Sequence, residues 1–273
     1  MNTREWLKEA TKKLEQAGVG TARLDALVLL EDVTGRDRAW LLAHSDHKLS
    51  PSELAELTKL LKRRAEHEPL AYLRKKTEFY GREFIITPAV LEPRPESETM
   101  IDLLKKLSKS PSWPAEPRIA DVGAGSGALG ITAKLELSDT RVELLEIDTN
   151  ALKIAQNNVD KYTTDVQVIG SDLLECSGQD NNVLLCNLPY VPDSHKVNEA
   201  AGHEPEIAIF GGPDGLDVYR KLFGQVKMSQ KRPLFILTES LPPQHDGLAK
   251  IAKQSGYQLA ETDDFIQVFK IVA

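Results

Sequence analysis

Along the first 68 residues the apolar positions recur at helical spacing. Trp6, Ala10, Leu14 and Val19 share one stripe, and Gly18 and Gly20 end it. Thr21 stands where it would cap a second helix carrying Leu24, Leu27, Val28 and Leu30, with Gly35 as its stop. Trp40-Leu41-Leu42 is a third, short apolar segment. Ser50-Pro51-Ser52-Glu53 combines a cap, a proline at the first helical position and an acid three residues after the cap. The helix it opens carries Leu54, Leu57, Leu60 and Leu61 and ends before Pro69. These elements predict a small helical bundle. His44, His47 and His67 lie in it without acidic or thiol partners at metal-ligand spacing, so they read as surface residues.

The period then changes. Thr77 to Ile86 reads as a hairpin turning near Gly81, and Glu92-Pro93-Arg94-Pro95 interrupts regular structure. Beyond it, strands are predicted near 117–122, 141–146, 165–169, 183–186, 233–238 and 265–271. Helices are predicted near 96–108, 126–136, 149–161, 214–229 and 243–255. That alternation implies parallel βαβ units. The predicted fold is α/β: an N-terminal helical bundle at 1–70, a β-hairpin linker at 71–91, and a C-terminal doubly wound, Rossmann-like domain at 92–273.

Composition adds bounds. Of 273 residues, 41% are hydrophobic and 27% charged, an ordinary globular balance. No apolar run is long enough for a membrane span, and the charged start Met1-Asn2-Thr3-Arg4-Glu5-Trp6 has no signal-peptide core. Two cysteines, Cys176 and Cys186, are too few for a disulfide framework or a zinc cluster. A reduced, cytoplasmic protein without a metal is expected. Net charge is −7, and residues 1–70 carry 12 basic and 12 acidic side chains. A chain that grips phosphate backbone usually shows a basic stripe. None is evident, so a nucleic-acid substrate is not expected.

Two turns hold the candidate chemistry. Asp121-Val122-Gly123-Ala124-Gly125-Ser126-Gly127 follows a buried strand and leads into a helix, which suits a backbone pressed against a small molecule. Taken alone it fits S-adenosylmethionine (SAM), a dinucleotide or a purely structural turn. Glu146 ends the next strand, where an acid would take two ribose hydroxyls, and Asp172 follows the third, within reach of an adenine amine. Asp148 reads as a helix cap. The second turn, Asn187-Leu188-Pro189-Tyr190, follows the apolar run Val183-Leu184-Leu185-Cys186. Its amide, stiff backbone and ring could hold a planar nitrogen group: Asn187 and the Leu188 carbonyl as acceptors, Pro189 and Tyr190 shaping the slot. Together the two turns predict methyl transfer from SAM to a planar nitrogen, an in-line displacement in which orientation is the main lever.

At this point the chain resembles the HemK-type protein-glutamine methyltransferases, which methylate the glutamine of the Gly-Gly-Gln loop in peptide chain release factors. Besides the two turns, the likeness rests on several blocks. These are Glu78-Phe79-Tyr80-Gly81, Leu91-Glu92-Pro93-Arg94-Pro95-Glu96-Ser97-Glu98, Glu204-Pro205, and Gly211-Gly212-Pro213-Asp214-Gly215-Leu216-Asp217-Val218-Tyr219-Arg220. The resemblance implies a helical domain that contacts the release factor, a hairpin linker and a SAM-dependent catalytic domain. Candidate cofactor contacts are Asp121, Gly123, Ala124, Gly125, Gly127, Glu146, Asp172, Leu173 and Asn187. The catalytic turn comprises Asn187, Leu188, Pro189 and Tyr190. Two departures stand out. Leu188 replaces the second residue of the family's Asn-Pro-Pro-Tyr, and Glu146 replaces its usual Asp. Asn-Leu-Pro-Tyr also occurs in ribosomal-RNA adenine dimethylases, which makes an adenine amine the alternative acceptor. A ribosomal-protein glutamine is another.

Overall fold

A computed structural model describes residues 1–178 and 180–272. They divide into two units, Met1–Lys75 with Asn198–His203, and Lys76–Val197 with Glu204–Ala273.

The first unit is helical: α1 (Thr3–Gln16), α2 (Ala22–Thr34), α3 (Arg38–Ala43), α4 (Pro51–Ala65) and α5 (Leu70–Arg74). Trp6, Ala10, Leu14, Leu30, Leu41, Leu57 and Leu61 join its core as the apolar stripes predict, whereas Leu24 of the second stripe is exposed and Leu29, outside that stripe, is buried in the core. The cap at Ser50 forms as read: the Glu53 amide donates to Ser50 Oγ, and the Ser50 amide donates to Glu53 Oε2. Thr21 makes no side-chain cap bond. Asn2 instead forms a capping box with Glu5 on α1. His67 also departs from a plain surface role, since its Nε2 lies 2.8 Å from Glu199 Oε2.

The second unit opens with the hairpin β1 (Lys76–Phe79) and β2 (Arg82–Ile85). Tyr80 and Gly81 both have positive φ, the geometry of a tight hairpin turn. Helices α6 (Glu98–Leu107), α7 (Ala128–Glu136), α8 (Thr149–Tyr162), α9 (Asp217–Met228) and α10 (His245–Gln254) flank a seven-stranded sheet. Its strands are β3 (Arg118–Val122), β4 (Arg141–Glu146), β5 (Gln167–Gly170), β6 (Val183–Cys186), β7 (Phe235–Glu239), β8 (Tyr257–Asp263) and β9 (Ile266–Ile271), in the order β5-β4-β3-β6-β7-β9-β8. The first five in that order are parallel. Side chains alternate between two buried faces. Ile119, Leu144, Leu185 and Leu237 join α6, α7 and α8 on one side, and Ala120, Leu145, Leu184 and Ile236 join α9 and α10 on the other.

The strand order reverses between β3 and β6, which opens a crevice at their carboxyl ends. Strand β8 is absent from the sequence reading. It is an edge strand with mostly exposed side chains, so no alternation marks it. Two residues connect it to β9, which forces an antiparallel pair. Among the described residues no helix is long and apolar enough to cross a membrane.

Candidate active site

The residues picked from the sequence fall at the carboxyl ends of four adjacent parallel strands. Asp121 and the glycine turn end β3, Glu146 ends β4, Asp172 and Leu173 follow β5, and the 187–190 turn follows β6. They surround a cavity of about 430 Å³. Asp121, Gly123, Ala124, Gly125, Glu146, Asp172, Leu173, Asn187, Leu188 and Pro189 all line it. Gly127 and Tyr190 are not among its lining residues. Gly127 instead precedes α7, packed on Leu144, and Tyr190 points its hydroxyl at Glu239.

The glycine turn is fastened from within. The amides of Gly123 and Ala124 both donate to the Leu145 carbonyl, at 2.8 and 3.1 Å, and the Gly127 amide donates to the Ala124 carbonyl. The Gly125 amide donates to Glu146 Oε2 at 2.8 Å. Glu146 Oε1 takes the Ile147 and Asp148 amides at 2.8 and 2.9 Å. Three backbone donors thus fix this buried carboxylate: Oε1 takes two of them and Oε2 one, so Oε2 keeps a lone pair for a further donor. Asp148 caps α8 by accepting from the Asn150 and Ala151 amides, as read.

Asp121 is 1% exposed, and its Oδ2 accepts from the Gly130 amide at 2.8 Å. Burial raises its pKa to about 7; the Gly130 bond opposes the shift and the charge of Glu146 adds to it. Asp172 forms an ion pair with Lys221, another cavity residue that the sequence reading passed over.

These facts bear on which cofactor fits. A dinucleotide site of this topology presents free turn amides to a pyrophosphate. Here four of those amides already have protein acceptors. The wall carries Asp121, Glu146, Asp148, Asp172 and Asp217 against Lys221, whose charge Asp172 already meets. That balance repels phosphate and suits a cation with ribose hydroxyls, the chemistry of SAM.

The 187–190 turn is held from behind. Asn187 Nδ2 donates to Ser97 Oγ at 2.9 Å, and Ser97 Oγ donates to Glu239 Oε2 at 2.6 Å. Tyr190 Oη donates to Glu239 Oε1 at 3.0 Å. Tyr219 Oη shares its one proton between the Glu239 carbonyl at 2.6 Å and the Cys186 carbonyl at 2.9 Å, and Gln244 Nε2 donates to the Tyr190 and Asp214 carbonyls. Burial raises the pKa of Glu239, while its bonds from Ser97 and Tyr190 oppose the shift. The glycine-rich 211–220 block serves the same turn. A Cβ on Gly215 would collide with the Tyr190 carbonyl, so only glycine allows this approach. On the outer wall, Phe79, Val90, Leu91, Pro93, Pro205 and Ile207 present apolar surface. Arg94 bonds buried Glu204 at 2.6 Å, joining two of the sequence blocks.

Ser97 and Glu239 were missed as site residues. A signal existed for both. Ser97 lies inside a block already singled out, and Glu239 is a carboxylate ending an apolar strand, the same feature that marks Glu146.

Fold and site together define a Rossmann-like, SAM-dependent methyltransferase. The family described as "PrmC N-terminal domain" matches residues 5–74, and "Methyltransferase small domain" matches residues 97–204. A release factor glutamine methyltransferase of Koribacter versatilis is 35% identical over 83% of this chain and 81% of its own length. The chain belongs to the release factor glutamine methyltransferase family. A bifunctional methyltransferase of Rickettsia felis is 31% identical over 93% of this chain but 54% of its own length, so the chain spans about half of that relative. A methyltransferase from Pyrococcus furiosus shares the fold, with a TM-score of 0.51 and 15% identity over 76% of this chain and 96% of that one.

Proposed function

We propose that this chain transfers a methyl group from SAM to the side-chain amide nitrogen of a protein glutamine, the glutamine of the Gly-Gly-Gln loop of a peptide chain release factor. The observation that carries the reading is the fixed amide of Asn187. Its nitrogen is committed to Ser97, and among the described residues its oxygen has no donor. That oxygen is a spare acceptor on a residue that lines the cavity beside the acidic wall.

SAM, when bound, supplies an electrophilic methyl on a sulfonium. Glu146 would take its ribose hydroxyls, Asp172 and Leu173 its base, and Asp121 with Gly123, Ala124 and Gly125 its amino-acid end. Asn187 Oδ1 and the Leu188 carbonyl would take the two amide hydrogens and hold nitrogen on the sulfur–methyl axis. Pro189 stiffens that turn and Tyr190 anchors its far end. Nitrogen gains the methyl, the S–CH₃ bonding pair stays on sulfur, and one amide proton leaves afterwards. The helical unit would position the release factor, and the chain would act in the cytoplasm without a nucleic-acid substrate.

Incubation with tritiated SAM, release factor, a Gly-Gly-Gln peptide and ribosomal RNA tests the reading. Label on the glutamine is the expected result. Label on RNA alone would replace it with the adenine reading, and label on a ribosomal protein alone would move the target glutamine there.

A further inference from the structure

The wall behind Asn187 contains more order than a turn needs. Ser97 and Glu239 are each 1% exposed. Ser97 stands at the cap position of α6, yet its side chain makes no cap bond. Its hydroxyl is instead spent between Asn187 and Glu239. A well-packed apolar side chain usually costs less at such a depth than a carboxylate.

Proton counting gives this chain a direction. An ionised carboxylate only accepts, and a serine hydroxyl has one proton to give. Ser97 gives it to Glu239, so Ser97 offers Asn187 nothing but lone pairs. Asn187 must therefore turn its NH₂ group inward. Its oxygen is left for the cavity. The opposite orientation would set amide oxygen against hydroxyl oxygen with no hydrogen between them. The second oxygen of Glu239 receives Tyr190, so one carboxylate fixes both ends of the turn.

We propose that Ser97 and Glu239 are positioning residues that set which atom of Asn187 meets the methyl acceptor, making the site selective for an N–H group. The inference rests on reading 187–190 as the acceptor turn. A methyl acceptor with no hydrogen to donate gains nothing from the fixed orientation. With the chain broken, Asn187 can present either end, and an amide nitrogen is held off axis part of the time.

The test is a mutant cycle in the full-length chain, using whichever acceptor the wild type labels. A failure of the glutamine reading then shows in the wild type, before any variant is compared. Ser97→Ala, Ser97→Thr, Asn187→Ala and the Ser97→Ala/Asn187→Ala pair are measured by single-turnover methyl transfer at saturating SAM, with SAM affinity by calorimetry. Ser97→Ala is expected to slow transfer by roughly 10- to 100-fold while SAM affinity stays near wild type. Ser97→Thr, which keeps the hydroxyl, should recover most of that rate. In the Asn187→Ala background, Ser97→Ala should cost nothing further. An unchanged rate in Ser97→Ala, or a full independent loss in the pair, would overturn the inference. If the Ser97 variants fail to fold, the wild type decides. Its Asn187 side-chain NH₂ should exchange hydrogen slowly by ¹⁵N NMR, and exchange as fast as a free asparagine amide would overturn it.

Discussion

A Cβ placed on Gly123 would stand 2.8 Å from Leu188 Cδ2. The cofactor turn and the acceptor turn, far apart in sequence, are packed one on the other. Leu188 is 2% exposed, so the residue that departs from the family pattern is part of the core beneath both turns. Gly123→Ala adds a methyl here at φ +71°, a strain of about 1–2 kcal/mol before any clash. Leu188→Ala should cost about 2–5 kcal/mol as a buried truncation. Because the truncation clears space for the new methyl, the double variant should be less destabilised than the sum, by about 0.5–3 kcal/mol. Urea unfolding of the four proteins measures this. Strict additivity would show that the glycine serves only its backbone angle.

Asp121 should impose a pH signature. Its folded pKa of about 7 lies above the ~3.9 of an exposed aspartate. The folded state therefore binds its proton more tightly than the unfolded chain. The resulting stability is complete below about pH 4 and is lost as pH rises toward 7, with no further change above. Asp121→Asn keeps an oxygen for the Gly130 amide and removes that slope. The difference between the two stability curves over this range isolates the residue, and parallel curves would refute its raised pKa. A bound cation favours the carboxylate, so SAM affinity should rise between pH 6 and 8 in wild type more than in Asp121→Asn.

How much of this was readable beforehand follows from what each signal depends on. Strands β6 and β7 carry continuous apolar runs, and β3 and β4 runs broken only by Asp121 and Glu143, because both faces of the sheet are covered, and such runs show in sequence. Strand β8 lies at the edge with exposed side chains and leaves no pattern. Asp121, Glu146 and Asn187 were legible because each ends a visible strand. Gly127 carried the same glycine signal as its neighbours yet packs against Leu144, away from the cavity; which of three glycines meets a ligand depends on how the turn is wound. Glu146 was legible as a cofactor candidate, but its three backbone bonds were not, since they depend on the path of the following turn. The link from Ser97 to Glu239 joins residues 142 apart in sequence, and only the folded sheet brings them together.

Glu146 should act on binding rather than on the chemical step. Its carboxylate would hold SAM equally in ground and transition states, which is uniform binding. Glu146→Ala removes the ribose acceptor and strands the amides of Gly125, Ile147 and Asp148. Loss of charged hydrogen bonds should weaken SAM binding by about 1.5–3 kcal/mol. The single-turnover rate at saturating SAM should change far less. Calorimetry paired with rapid-quench kinetics separates the two effects. An unaltered SAM dissociation constant would remove Glu146 from the cofactor site.

Asn187→Ala should leave SAM binding nearly intact and slow methyl transfer severely. Asn187 follows β6, whereas the glycine turn and carboxylates proposed to hold SAM lie at the ends of β3, β4 and β5. Among the described residues its side chain bonds only Ser97, so truncation strands a single hydroxyl lone pair and should cost little stability. What alanine removes is the acceptor that fixes one N–H of the substrate amide. With only the Leu188 carbonyl left, the amide can rotate about that contact, and nitrogen leaves the sulfur–methyl axis. Misplacement of this kind costs roughly 100-fold or more in rate. Asn187→Asp separates acceptor from orientation. It keeps an oxygen toward the cavity but sets a second acceptor against Ser97, whose proton already belongs to Glu239. The aspartate variant should therefore transfer methyl faster than alanine and slower than wild type. Single-turnover rates with release factor and with ribosomal RNA, beside SAM affinities, give the answer. Near-normal glutamine methylation by Asn187→Ala would end the orientation mechanism.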